Sequence, residues 1–315
     1  MKQIGQVSRR RVLVKGSAAI AAMALVGCTS QGGGDQPARA IHNGQIKQSM
    51  AFWCVNAAGE KWDVEKTCEV AKSLGCPSVE LVEPKDYATL KKYGLTSALC
   101  PGGMPDPPFV RGLNNPKYQD EVVTRTSAAI ETTAAAGFPS VIAFHGYKWV
   151  DVDDPTKGEI SLDDGARNCV AGLKRLATVA ERHKVNVCIE QLNTRDNSHP
   201  MKGHPGYQAD HMDYLADIVK QVGSPRVKLL FDIYHVQVMD GDVIRRIRQY
   251  AELIGHVHVA GAPGRGELDD MQEINFVGCM KALLDVGYKG YVGQEWIPTR
   301  RPLEGLRQAM RVCDV

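Results

Sequence analysis

From Met50 onward, short apolar runs alternate with longer stretches in which apolar residues recur every three or four positions. The short runs predict strands at Met50–Val55, Ser78–Val82, Leu95–Leu99, Ser140–Phe144, Val185–Glu190, Val227–Ile233, Gly255–Ala260 and Gly290–Glu295. The longer ones predict helices such as Trp62–Leu74, Tyr118–Ala136, Asp164–His183, Asp210–Val222 and Gln272–Val286, many followed by a glycine. Eight β-then-α units in about 265 residues are what a (β/α)₈ TIM barrel requires. A doubly wound open sheet is the alternative, but no Gly-x-Gly-x-x-Gly turn follows any of these strands.

The connections are unequal. Helix-to-strand links are short, as at Tyr93-Gly94 and Gly223-Ser224-Pro225, whereas long strand-to-helix links run over Cys100–Asn115, His145–Ser161, Gln191–Tyr207 and Gly261–Met271. In a barrel every strand-to-helix loop lies at the carboxyl ends of the strands, where active sites are built. The segment Cys100–Asn115, rich in glycine and proline, is expected to act as a lid.

Four successive strands deliver ligand-type side chains to that face. The fifth ends on Glu190, the sixth on Asp232, the seventh carries His256 and His258, and the eighth ends on Glu295. Each acid closes an apolar run, and the four are spaced by about one barrel unit, so they can converge. His256 and His258 share one side of their strand, with His258 about 6.6 Å nearer its carboxyl end. Glu190, Asp232, His258 and Glu295 are therefore the expected metal ligands, and His256 is expected in the barrel core. Three carboxylates and one imidazole suit Mn²⁺ or Mg²⁺, with Co²⁺ and Zn²⁺ as alternatives. His145, which ends the fourth strand, is a further candidate for the substrate pocket. No His-Glu-x-x-His, Walker A or Gly-x-Ser-x-Gly motif occurs.

The first residues change the meaning of the charge. Residues 1–27 hold five basic and no acidic residues, so the formal net charge of +2 becomes −3 for the rest of the chain. A mildly acidic body gives no support to a nucleic-acid partner. Ser8-Arg9-Arg10-Arg11-Val12-Leu13-Val14-Lys15 followed by a short Ala-rich run has the form of a twin-arginine export signal, too short to span a membrane. Leu25-Val26-Gly27-Cys28 has the form of a lipobox, in which Cys28 would be lipidated and become the first mature residue. The expected organisation is a signal peptide at 1–27, a lipidated Cys28 with a flexible tether through 45, and a barrel at 46–315. The protein is then exported and meets the membrane only through its lipid. The nine cysteines form no Cys-x-x-Cys pair, and several lie in apolar runs, so buried thiols are expected in preference to a disulfide framework.

Cys188-Ile189-Glu190-Gln191-Leu192-Asn193, Phe231-Asp232-Ile233-Tyr234-His235, His258 with Ala262-Pro263-Gly264-Arg265, Glu273-Ile274-Asn275 and Gly293-Gln294-Glu295-Trp296-Ile297-Pro298 resemble the motifs of hydroxypyruvate isomerases. That family sits among the xylose isomerase-like TIM barrels, beside the ketose 3-epimerases. The motif resemblance runs from about Val185 to Pro298 and is mainly architectural before that. It implies Glu190, Asp232, His258 and Glu295 as metal ligands, Glu190 and Glu295 as an acid/base pair, and His235 and Arg265 as groups that touch substrate oxygens. It implies interconversion of a small hydroxy-ketone and hydroxy-aldehyde through an enediolate. His258 stands where these isomerases often carry Gln and the epimerases carry His, so an epimerase or lyase acting on a keto-sugar remains the alternative. Outside catalysis of this kind stand a sugar-binding lipoprotein and an apurinic-type endonuclease; the latter needs more histidines and a basic DNA face. The sequence is compatible with a homo-oligomer and does not specify one.

Overall fold

The computed structural model describes residues 39–57 and 60–315. The export signal and Cys28 lie outside the described residues. Seven parallel strands form one curled sheet in the order β2-β1-β7-β6-β5-β4-β3. They are β1 (Lys47–Ala51), β2 (Ser78–Glu80), β3 (Ser140–Phe144), β4 (Asn186–Glu190), β5 (Val227–Asp232), β6 (Ile254–Val259) and β7 (Tyr291–Gln294).

The third expected strand, Leu95–Leu99, is not a regular strand, yet its segment closes the barrel. Val79 N donates to Thr96 O and Leu81 N to Leu99 O on one side, and Ile142 N donates to Cys100 O on the other. The ladder breaks between these points because side chains take over. The Ala98 amide donates to Ser78 Oγ at 2.9 Å, and Ser97 Oγ donates to Leu99 O at 3.1 Å. The first expected strand is also corrected. Pairing stops at Ala51, and Phe52–Asn56 turns into a short helix that buries Cys54 and Val55. A short apolar run satisfies either conformation, so the pattern alone did not decide it.

The long helices form where the periodicity places them, and their starts are fixed by side chains that satisfy free amides. Asp63 accepts from Lys66 N, Asn115 from Lys117 N and Ser161 from Asp164 N. Helices Pro116–Ala136 and Leu162–His183 cover the sheet beside β3 and β4, and Val187, Ile189, Leu229, Phe231, Val257 and Val259 are buried. Residues 40–45, within the segment expected as tether, pack on the barrel. The amides of Ala40 and Ile41 donate to Leu74 O, and the Asp314 carboxylate accepts from Asn43 and Gly44 at 2.8 Å. Eight described cysteines are buried and unpaired. Among the described residues no helix is long and apolar enough to cross a membrane.

Candidate active site

Parallel register assembles the site. Asp232, the last residue of β5, pairs with His258 on β6, and His258 pairs with Gly293 on β7. Glu190 ends β4, and Glu295 directly follows β7. Residues side by side on adjacent strands point the same way. The carboxylates and the imidazole therefore meet at the carboxyl mouth of the barrel, and all four are buried.

One donor atom from each of Glu190, Asp232, His258 and Glu295 lies within 4.8 Å of the others. His258 Nδ1 stands 2.7 Å from Glu295 Oε2 and 3.7 Å from Glu190 Oε1, yet it makes no hydrogen bond. Glu190 Oε1 is likewise buried without a partner. Buried polar atoms normally find a partner, and these two unpaired atoms face a common centre. The residues fit a divalent cation: three hard carboxylates and one imidazole, with donor atoms left free for it.

Burial raises Glu190 to about 7, an effect that the nearby Glu295 charge reinforces and His258 opposes. Burial raises Asp232 too, against the pull of the Arg265 guanidinium. Glu295 differs because His258 and Arg265 together outweigh its burial and hold it at about 2. Burial alone would lower His258, but the carboxylates of Glu295, Glu190 and Glu80 more than reverse that.

Sequence reasoning missed Glu80, which ends β2. Its Oε1 lies 2.6 Å from His258 Nε2 and 3.2 Å from His256 Nε2. β2 is separated from β6 by β1 and β7, so this contact crosses the barrel interior. Glu80 thereby takes the Nε2–H of His258 and leaves Nδ1 turned to the centre, where it would ligate a cation on losing its proton, the usual arrangement behind a ligating histidine. His256 completes this interior cluster, as expected. Trp53 is the second group missed. It lies on the unexpected short helix and donates from Nε1 to Glu295 Oε1 at 2.9 Å.

Arg265 is drawn into the same centre. Its guanidinium donates to Glu295 Oε2 at 2.5 Å, to Asp232 Oδ2 at 3.2 Å and to Met201 O at 2.5 Å. His235 Nδ1 accepts from the Asn193 amide at 3.1 Å, so its proton belongs on Nε2, which is buried, unpaired and 3.6 Å from Asp232 Oδ2. Burial keeps this imidazole neutral.

A cavity of about 460 Å³ opens over the site. Glu190, Glu295, Arg265 and Trp53 form its floor, and Pro101, Met104 and Phe109 of the expected lid form a wall. Phe109 rests on His204, ring centres 4.1 Å apart, so two of the long loops meet at this cavity. Nothing in the sequence distinguished His204 from a loop histidine. His145 is a correction: it does not line the cavity. It is buried with its ring 5.5 Å from that of Tyr214, and its amide donates to Tyr207 Oη, which in turn donates to Glu190 O. It supports the strand that carries Glu190.

The sequence matches the family described as xylose isomerase-like TIM barrel over residues 68–314. The chain belongs to this family. It is 38% identical over 134 residues to a putative hydroxypyruvate isomerase of Homo sapiens, covering 42% of this chain and 46% of that protein. It is 35% identical over 153 residues to a 2-oxo-tetronate isomerase of Cupriavidus necator, covering 47% and 56%. The chain thus spans about half the length of the curated relatives it matches. Among solved structures, an AP endonuclease, family 2, from Brucella melitensis superposes with a TM-score of 0.70 at 25% identity, covering 83% of this chain and 97% of that one.

Proposed function

We propose that this protein is a metal-dependent isomerase that interconverts a small hydroxy-ketone and the corresponding hydroxy-aldehyde. The observation that carries the reading is the buried group Glu190, Asp232, His258 and Glu295, with two unpaired donor atoms turned to one centre beneath a cavity. The isomerase relatives support it at the level of reaction type. Glu190, Asp232, His258 and Glu295 would hold the cation, Mn²⁺ or Mg²⁺ by the hardness of the donors. When bound there, a divalent cation supplies Lewis-acid stabilisation of negative charge on the substrate ketone oxygen.

The chain's own groups do the rest. A proton on carbon beside a ketone is weakly acidic, and a carboxylate beside it can take it. Of Glu190 and Glu295, one removes that proton and the other, carrying a proton of its own, delivers it to the neighbouring carbon while the hydroxyl proton passes to the former ketone oxygen, so the carbonyl moves by one position through an enediolate. Arg265, held by Asp232 and Glu295, and the Nε2–H of His235 stand ready to donate to substrate oxygens. The lid residues and His204 restrict water around the reacting carbon.

His258 favours a second reading, ketose epimerisation, because the resembling epimerases carry histidine there. The same groups then return the proton to the opposite face of the same carbon. The localisation reading accompanies both: export through the twin-arginine-type segment and anchoring through a lipid on Cys28. Glu190→Gln and Glu295→Gln are each expected to lower kcat by at least about 100-fold with the fold intact, since a positioned acid or base contributes about 10²–10⁴. Wild-type turnover in either variant would remove that residue from the acid/base pair.

A further inference from the structure

The face opposite the cavity carries a charge that the proposed reaction does not use. All strands of the sheet are parallel, so their amino ends and the preceding helix ends share one face. The segments of chain there are 39–47, 72–77, 91–94, 136–140, 181–186, 220–228, 248–255, 285–291 and 311–315. Together they hold thirteen Lys and Arg against four Asp and Glu, although the chain beyond residue 27 is acidic overall. On the cavity side the balance reverses: the loops 145–161 and 260–275 hold eight acids and three bases.

Part of this asymmetry is ordinary. Lys72 and Lys91 sit in last helical turns, where the helix dipole favours cations. Lys92, Lys220 and Arg248 are engaged with Glu65, Asp217 and Asp285. The dipole favours Lys184 as well, the C-cap of its helix, but does not account for Lys47, which opens β1, or for Lys289 in the link before β7. Lys47, Lys72, Lys91, Lys184 and Lys289 are all exposed and have no carboxylate partner among the described residues.

The chain enters the barrel on this same face. The amides of Ala40 and Ile41 are tied to the helix end at Leu74, and residues 42–44 are tied to Asp314 at the end of the last helix. The ten residues between Cys28 and Arg39 reach at most about 35 Å. An anchor at Cys28 would therefore be joined to the barrel at its basic face and not at the cavity mouth. Cations near an anionic bilayer are attracted within a Debye length, about 8–10 Å at ordinary salt.

We infer that the basic amino-end face of the barrel docks on anionic phospholipid headgroups and turns the cavity mouth away from the membrane. The face supplies the lipid contact, and the entry point of the chain supplies its direction.

The test uses the full chain carrying Cys28→Ser, which removes the acyl contribution, and vesicles of phosphatidylcholine with or without phosphatidylglycerol. Binding is expected only with phosphatidylglycerol and is expected to weaken with added salt. Replacing Lys47, Lys72, Lys91, Lys184 and Lys289 by Gln is expected to weaken it by at least about tenfold. Replacing Lys61, Lys85, Lys157, Lys174 and Lys281, exposed elsewhere, should change it less than about twofold. The corresponding Lys→Arg set on the basic face should bind like the parent, which guards against a folding defect in the Gln set. Equal losses in both Gln sets would overturn the proposal, since residues 1–27 or overall charge would then be responsible. So would absence of binding to phosphatidylglycerol vesicles, or tighter binding to duplex DNA than to those vesicles.

Discussion

Glu80 shows how a residue outside the ligand group shapes it. A carboxylate buried between two imidazoles would ordinarily be raised by burial, but His256 and His258 reverse that and keep it ionised. The ionised oxygen accepts from His258 Nε2, and this fixes which ring nitrogen faces the centre. In Glu80→Gln the oxygen that faces both rings becomes a neutral, weaker acceptor, so the hold on His258 Nε2–H loosens. Mn²⁺ affinity measured by calorimetry is expected to fall about 10–100-fold, the usual range for partners of ligating residues. Unchanged affinity would show that the tautomer is set elsewhere. The four ligand candidates were legible because each acid or histidine stands at the end of an apolar strand. Glu80 ends a strand in the same way, but the expected strand ran on to Val82 and placed it mid-strand, among core residues. Trp53 was hidden for a related reason, since the run that carries it was taken as strand. His145 was over-read: a histidine that ends a strand is as well suited to support the next strand as to meet a ligand, and its link through Tyr207 to Glu190 O gives it the first role.

Between neighbouring strands the site depends on close approach. A Cβ built on Gly293 of β7 would lie 2.2 Å from Glu80 Oε1 and 2.7 Å from His258 Cδ2. Gly293→Ala must push the Glu80–His258 pair apart. It is expected to reproduce the Glu80→Gln loss of metal affinity and to lower stability by about 1–3 kcal/mol, as overpacking does. Thermal unfolding and calorimetry on the same sample check both; wild-type behaviour in each would mean that the strand shifts freely. At the other end of the barrel, Asp314 gathers the amides of His42, Asn43 and Gly44. Burial opposes the ionised form, but these amides outweigh it and lower the pKa. A lowered folded-state pKa gives stability that is present above the unfolded value, near 3.9, and is lost as pH falls through the folded one. Asp314→Ala is expected to cost about 1 kcal/mol at neutral pH, a typical loss for a capping carboxylate. The gap to wild type should close progressively in denaturant melts below about pH 4. A gap that is constant with pH would mean that the contribution is packing and not charge. The long helices were readable from periodicity, while the capping roles of Asp63, Asn115 and Ser161 came from the structure. The segment 95–100 was not, because serine side chains replace its ladder bonds and no pattern of apolar positions records that.

Over the whole molecule, sequence length and the strand–helix alternation were enough to place the fold. Parallel strands put every long connection on one face, and the candidate ligand group and the cavity lie there. The opposite face receives the incoming chain and an excess of lysine and arginine, which a single net charge for the body conceals. Neither the lining of the cavity nor its meeting of Phe109 with His204 was legible, because both depend on how two loops distant in sequence fold over the same mouth. The cavity is roomy for a three-carbon substrate, so the chemistry is specified more narrowly than the substrate.

The central claim is that Glu190 and Glu295 exchange a proton on carbon beside a ketone. The most direct measurement is NMR in D₂O of the Mn²⁺-loaded protein with a panel of hydroxypyruvate, short ketoses and keto-sugars, the metal being removed before spectra are recorded. At least one substrate is expected to take up deuterium at the α-carbon, and Glu190→Gln and Glu295→Gln should abolish that uptake. Failure of every member of the panel to exchange, in a protein shown by calorimetry to bind the metal, would contradict the enediolate mechanism.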